Sequence, residues 1–158
     1  MSEALLDALL LKQVARAGWV KRGVQGAESV AAHSWGVAWL VLALLPPGLD
    51  RARALTYAVL HDLAEHRTGD LTPADGVPAA QKLADERAAM TQLCAGLARG
   101  EALLLAWEAY EAQSDEEARF VRQLHRLDMA LQAARYRRDQ GLAAEEFFAS
   151  AAAVITHP

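Results

Sequence analysis

Ala58-Val59-Leu60-His61-Asp62-Leu63-Ala64-Glu65-His66-Arg67-Thr68-Gly69-Asp70 is the stretch from which the chain is read. An apolar helical pattern is broken here by an imidazole and a carboxylate side by side, with Glu65 one turn later. Positions three and four apart share a helix face, so one rim carries several nitrogen and oxygen donors. Placing that much polarity in an apolar helix needs a purpose, and half of a divalent-metal site is the reading that supplies one. Glu65, four residues after His61, stands where it can exchange a proton with a metal-bound water. Asp70, past the glycine, is a second carboxylate for orienting water or holding another ion.

Outward from that stretch, the pattern is helical throughout. Leu5, Leu6, Leu9, Leu10 and Val14 space a first helix from Ala4 to about Arg16. A glycine-rich loop follows to Gly26, with Trp19 and the cations Arg16, Lys21 and Arg22 as candidate binding groups. From about Glu28 to Leu45 a second helix is apolar on nearly all sides, which predicts a central buried helix carrying His33 near its start, and Pro46-Pro47-Gly48 stops it. Asp50 can cap a third helix, which points Leu55, Val59, Leu60 and Leu63 inward and delivers His61 and Asp62 near its end. Pro78 opens a fourth helix to about Leu97, and a short amphipathic one carries Leu104, Trp107 and Tyr110. Ser114-Asp115-Glu116-Glu117 reads as a capping box for a helix running to about Gln140, with Leu124 and Leu131 on its apolar stripe. A last helix spans Ala143 to Ile155. No stretch alternates with period two, so the expectation is an all-α, single-domain bundle of about six or seven helices over residues 1–158.

Composition narrows the function classes. Among 158 residues, 53% are apolar and 23% charged, enough for one real core. The net charge is −4 and the basic residues are scattered, which excludes a phosphate-backbone footprint and makes nucleic acid an unexpected partner. The longest apolar run, Gly36 to Leu45, is too short to span a bilayer, and no positive region precedes an apolar run at Met1-Ser2-Glu3-Ala4, so no membrane association and a cytoplasmic location are expected. The single cysteine, Cys94, has no internal partner and sits in an apolar pattern. His66 and His157 read as surface histidines without a role.

Ionisable side chains recur on three helices of this apolar bundle: His33, the pair His61-Asp62, and His125 with Asp128. Bundles assemble metal sites in this way, from facing helices. Mixed imidazole and carboxylate donors suit Mn, Fe, Co, Ni or Zn better than Ca, with Mg possible. Such an ion activates water and polarises a phosphoryl oxygen. Taken singly, each signal is weak: a lone helical histidine is usually a hydrogen-bonded core residue, and Glu65 or Asp70 could be ordinary solvated or turn residues.

Together these residues resemble the HD-domain metal-dependent phosphohydrolases, closest in the 5'-deoxynucleotidase branch. The similarity lies in Arg16-Ala17-Gly18-Trp19-Val20, Glu28 to Ser34, His61-Asp62-Leu63-Ala64-Glu65, Thr68 to Asp75, and Ala118 to Leu124, most of the chain. The resemblance implies an all-helical, often homodimeric enzyme that removes phosphate from deoxynucleoside 5'-monophosphates. By that resemblance His33, His61 and Asp62 hold the metal, Glu65 and Asp70 act on water or a second ion, and the Trp19 region contacts the sugar, disfavouring a 2'-hydroxyl. Arg16 and Arg22 are the candidate phosphate contacts. The family's fourth ligand, an aspartate, falls on His125 in this chain, with Asp128 one turn away as the competing choice. That departure keeps two alternatives open: a hydrolase of another nucleotide or phosphate ester, and a catalytically impaired metal- or nucleotide-binding module.

Overall fold

The computed structural model describes residues 3–156; Met1, Ser2, His157 and Pro158 lie outside the described residues. Those described form an all-α bundle. Its helices are α1 (Glu3–Leu9), α2 (Ala17–Val20), α3 (Val30–Leu44), α4 (Arg51–Leu60), α5 (Glu65–Thr68), α6 (Ala79–Ala95), α7 (Gly100–Glu111), α8 (Glu116–Gln140) and α9 (Glu145–Val154). Two of these, α2 and α5, are single turns, so the longer helices match the expected number.

Local chemistry sets the boundaries. Ser29 caps α3 by accepting from the Ala32 amide, and Asp50 caps α4 by accepting from Ala52 and Arg53. Gly141 ends α8 in the left-handed region at φ 73°. The expected capping box at Ser114 is displaced by one residue: Asp115 accepts from the Ala118 amide, while the Ser114 hydroxyl donates to the Ala109 carbonyl and belongs to the end of α7. The expected open loop from Arg16 to Gly26 contains the turn of α2, whose Ala17 amide is capped by Asp70 Oδ2 at 2.9 Å, 53 positions away in sequence. A cap from so far along the chain leaves no local signature.

Helix α3 packs against α4 and α8, and Val37, Val41, Ala58, Val121 and Leu124 form the main core around that junction. Met90, Leu93, Cys94 and Trp107 build a second cluster between α6 and α7, and Trp19, Tyr136 and Phe147 a third beneath α9. The second helix is not buried on all sides. Val30, Val37 and Val41 face the core, but Trp35 is 71% and Trp39 55% exposed, because the partners of α3 cover only one face. Val59 and Leu131 likewise point outward, as do Leu5, Leu6, Leu9 and Leu10. No helix among the described residues is long and apolar enough to cross a membrane.

Candidate metal centre

Three helices deliver the polar cluster to the interior of the main junction. His33 comes from the second turn of α3, His61 is the C-cap of α4 with Asp62 just beyond it, and His125 lies in the middle of α8. His33 is fully buried and His61 nearly so. Four atoms converge. His33 Nε2 lies 3.0 Å from His125 Nδ1, His61 Nε2 lies 3.3 Å from each of them, and Asp62 Oδ2 is 3.2 Å from His61 Nε2 and 3.6 Å from His33 Nε2.

The far sides of the rings fix what those nitrogens present. His33 Nδ1 donates to Asp128 Oδ2 at 2.6 Å, and His61 Nδ1 donates to the Ala58 carbonyl at 2.9 Å. With their protons assigned there by the acceptors, both Nε2 atoms turn lone pairs toward the same point. Facing lone pairs repel unless a proton or a metal ion sits between them. Neighbouring ligands of an ion held at about 2.0–2.2 Å stand roughly 3 Å apart, which is the spacing found here. The donor set of imidazoles and one carboxylate therefore fits a divalent transition ion. Beside it, Glu65 Oε2 is buried without a hydrogen-bond partner, an orphan that the same site would satisfy with water or substrate.

Electrostatics separate the carboxyls. In the ion-free chain burial acts to lower the His61 pKa, but Asp62 beside Nε2 raises it. The proton held there in turn keeps the Asp62 pKa well below the usual range against burial, with His125 and His33 behind it; a metal ion at the site would take that proton's place. Burial, and then the Arg16 charge, drive His33 far below its ordinary value, which keeps the imidazole neutral and able to ligate. Burial does the same at His125, with His33 adding to it. Glu65 is pushed up to about 10, first by burial and then by Asp62 and Asp70. Asp128 rises to about 6 through burial.

Asp128 sits behind His33 rather than among the converging atoms, and space for it comes from Gly36, where a Cβ would stand 2.1 Å from Asp128 Oδ1. Arg16, 7% exposed, is pinned between Asp62 at 3.4 Å and Asp70 at 3.7 Å. Asp70 uses Oδ2 on the α2 amide and on Arg16, which buttresses this corner, and it lines the same cavity as Asp62, Glu65 and His125. Trp19 is buried, its ring centroid 4.5 Å from Phe147 and 5.4 Å from Tyr136, and its Nε1 donates to Glu28 Oε1 at 3.0 Å. An edge of the ring still lines a cavity of about 220 Å³ that reaches Asp62, Glu65 and His125. Arg22 stands apart: its guanidinium pairs with Glu146, donates to the Gly18 carbonyl and lies over Phe147, on the wall of a different surface cavity.

Three cations on the site's walls were not anticipated from sequence, Lys82 on α6 and Arg122 and Arg126 on α8. Arg126 could have been suspected from its place beside His125, whereas nothing near Lys82 marks it.

The HD domain family model matches residues 9–157. The chain is 40% identical over 152 residues to the 5'-deoxynucleotidase HDDC2 of Bos taurus, covering 94% of this chain and 74% of that protein. It is 33% identical to the 5'-deoxynucleotidase hdd1 of Schizosaccharomyces pombe, over 97% of this chain and 81% of the relative. Among solved structures, the PH0347 protein of Pyrococcus horikoshii OT3 superposes with a TM-score of 0.81 at 31% identity, covering 94% of this chain and 85% of that one. A predicted metal-dependent phosphohydrolase of Magnetospirillum magnetotacticum MS-1 shares the fold, with a TM-score of 0.71 at 21% identity over 96% and 89% of the two chains.

Proposed function

The chain belongs to the HD-domain family, and from that premise we propose that it is a metal-dependent phosphomonoesterase converting deoxynucleoside 5'-monophosphates to deoxynucleoside and phosphate. The observation that carries the reading is the convergence of His33 Nε2, His61 Nε2, His125 Nδ1 and Asp62 Oδ2 in a chain 40% identical to a 5'-deoxynucleotidase. In this reading those four residues hold the ion, and Asp128 keeps His33 in the ligating tautomer. Mn, Co, Fe, Ni or Zn suit the donors best, and Mg remains possible. A divalent ion bound there would polarise a phosphoryl oxygen and make water acidic.

The chain's own groups do the rest. Glu65, a carboxylic acid at neutral pH because burial, Asp62 and Asp70 outweigh the Arg16 and Lys82 charges, holds a proton at a carboxyl that lines the cavity. A cation beside Asp62 draws that pKa back toward neutrality, where one carboxyl both takes a proton from water and gives one to the leaving 5'-oxygen. Arg16 supplies positive charge at this end of the cavity while keeping Asp62 and Asp70 in place.

Trp19, Met129 and Phe147 give the cavity an apolar flank for the sugar. Trp19's one donor is already used on Glu28, so that flank offers a 2'-hydroxyl no partner. Desolvating an unpaired hydroxyl costs about 1–3 kcal/mol, which corresponds to roughly 5- to 150-fold preference for deoxynucleotides.

The further parts of this reading are a single domain over 1–158, a cytoplasmic setting and a homodimer. Trp35, Trp39 and Leu42 recur at helical spacing on the open face of α3 and support the dimer. Phosphate release from a panel of deoxy- and ribonucleotides with Mn, Co, Mg and Zn tests the activity, and no metal-dependent release from any nucleotide refutes it. A second reading, a binding module with little turnover, draws on His125 standing where the resemblance expects an aspartate. It requires stoichiometric ion or nucleotide binding without turnover, and His125→Asp would then raise activity.

A further inference from the structure

The ligand set borders two cavities. The cavity of about 220 Å³ carries Trp19, Met129 and Phe147 and has the character of a sugar and base site. A second cavity, of about 260 Å³, also lies against His61, Asp62 and His125, and its wall includes Tyr110, Gln113, Arg122 and Arg126. Lys82 and Arg126 line both, so the two spaces meet beside the ion site.

The second cavity has a different chemistry from the first. Arg122 and Arg126 are one turn apart on α8 and so share a face, and Lys82 reaches the same space from α6. Lys82 Nζ is only loosely engaged, 3.4 Å from Glu86 Oε1, and neither arginine is held in an ion pair among the described residues. Two carboxylates lie on the same wall, Glu111 and Asp62, and the second of these belongs to the ligand set. The ligand set adds to the imbalance: with three neutral imidazoles and a single carboxylate, a bound divalent ion leaves it net positive. Unpaired guanidinium groups beside a net cationic centre, with one amide donor at Gln113, suit the oxygens of a phosphate far better than a base or a sugar.

We propose that Lys82, Arg122 and Arg126 form a second anion subsite, beside the metal ligands and adjoining the cavity that Trp19 lines, that takes a phosphate-like dianion. Resting on the phosphomonoesterase reading, the dianion is either the released phosphate or the distal group of a substrate with a second phosphoryl. The nucleoside is held against Trp19, and the anion leaves or extends past Arg126 toward Arg122.

The test is calorimetric titration of the full-length, Mn-loaded protein with inorganic phosphate, a deoxynucleoside 5'-monophosphate, the matching 5'-diphosphate and the unphosphorylated deoxynucleoside. Arg122→Gln and Arg126→Gln change charge with little change in helix propensity, and their melting temperatures check folding. Each is expected to weaken phosphate or diphosphate binding about tenfold, or about 1.4 kcal/mol, and to leave the deoxynucleoside within twofold. A loss confined to free phosphate identifies the product as the occupant; a loss confined to the diphosphate, measured against the monophosphate, identifies a second phosphoryl. If both variants bind phosphate and diphosphate within twofold of the parent, the subsite is refuted. Failure of the phosphomonoesterase reading shows separately, as no turnover of any monophosphate whatever the titrations give.

Discussion

Replacing Gly36 by Ala should loosen the metal site from behind without touching a ligand. A Cβ at Gly36 would stand 2.1 Å from Asp128 Oδ1 and 3.0 Å from its Cγ. Ordinary contact needs about 3.4 Å, so the carboxylate must retreat by more than 1 Å, and its 2.6 Å bond to His33 Nδ1 cannot survive that. His33 is fully buried, and a donor left unpaired there costs about 1–3 kcal/mol. Gaining alanine in a helix interior returns about 1 kcal/mol, so the metal-free protein should unfold at nearly the same denaturant concentration as the parent. The ion should feel the change far more, because losing the group that orients a ligating imidazole typically weakens binding about 10- to 100-fold. Competition with a chromophoric chelator measures this directly. The same substitution made on an Asp128→Ala background should cost nothing further, since the methyl then has no carboxylate to displace. Ion affinity within twofold of the parent in Gly36→Ala would refute the orienting role of Asp128.

Other perturbations test other parts of the site. Glu65→Gln should keep ion binding while lowering turnover by about 10²- to 10⁴-fold, read as kcat in the phosphate-release assay. Because the folded pKa of Glu65 is raised, to about 10, the metal-free protein binds a proton that the unfolded chain releases near the ordinary carboxyl value. Its stability should therefore fall as pH climbs from about 4.5 toward 10, and Glu65→Gln should flatten that decline in denaturant titrations at several pH values. Arg22→Ala should leave kcat/KM within twofold, since Arg22 pairs with Glu146 away from the ligand set. A saturating ion at about 100 times its Kd adds about 2.7 kcal/mol, so chelation should lower Tm by roughly 5–10 °C in a scan; an unchanged Tm would contradict binding to the folded chain.

What could be read without coordinates was whatever local pattern encodes. His61 and Asp62 stand out because polarity interrupts an apolar helix, and His33 because it is a lone imidazole near the start of a helix apolar on nearly all sides. The choice between His125 and Asp128 rested on the match to a family pattern, and His125 Nδ1 lies among the converging atoms. Less legible in sequence are the residues held by distant partners. Arg22 is drawn away by Glu146, 124 positions later, and Asp70 is used by a cap 53 positions earlier. The exposure of Trp35 and Trp39 follows from which helices lie beside α3, and hydrophobicity alone does not report that. Gly36 and Lys82 are silent in sequence, since one matters as empty space and the other by reaching across from α6.

Helix α8 concentrates Arg122, His125, Arg126 and Asp128 within residues 122–128. Each residue added to or removed from a helix turns everything beyond it by about 100°. A one-residue insertion ahead of this segment would therefore swing a ligand, its neighbour's orienting carboxylate and both cavity arginines out of place together, whereas the connection after Gly141 can change length without moving any of them. Length variation in proteins built on this plan should accordingly collect in the connections and spare the first half of α8, even where individual side chains there are exchanged.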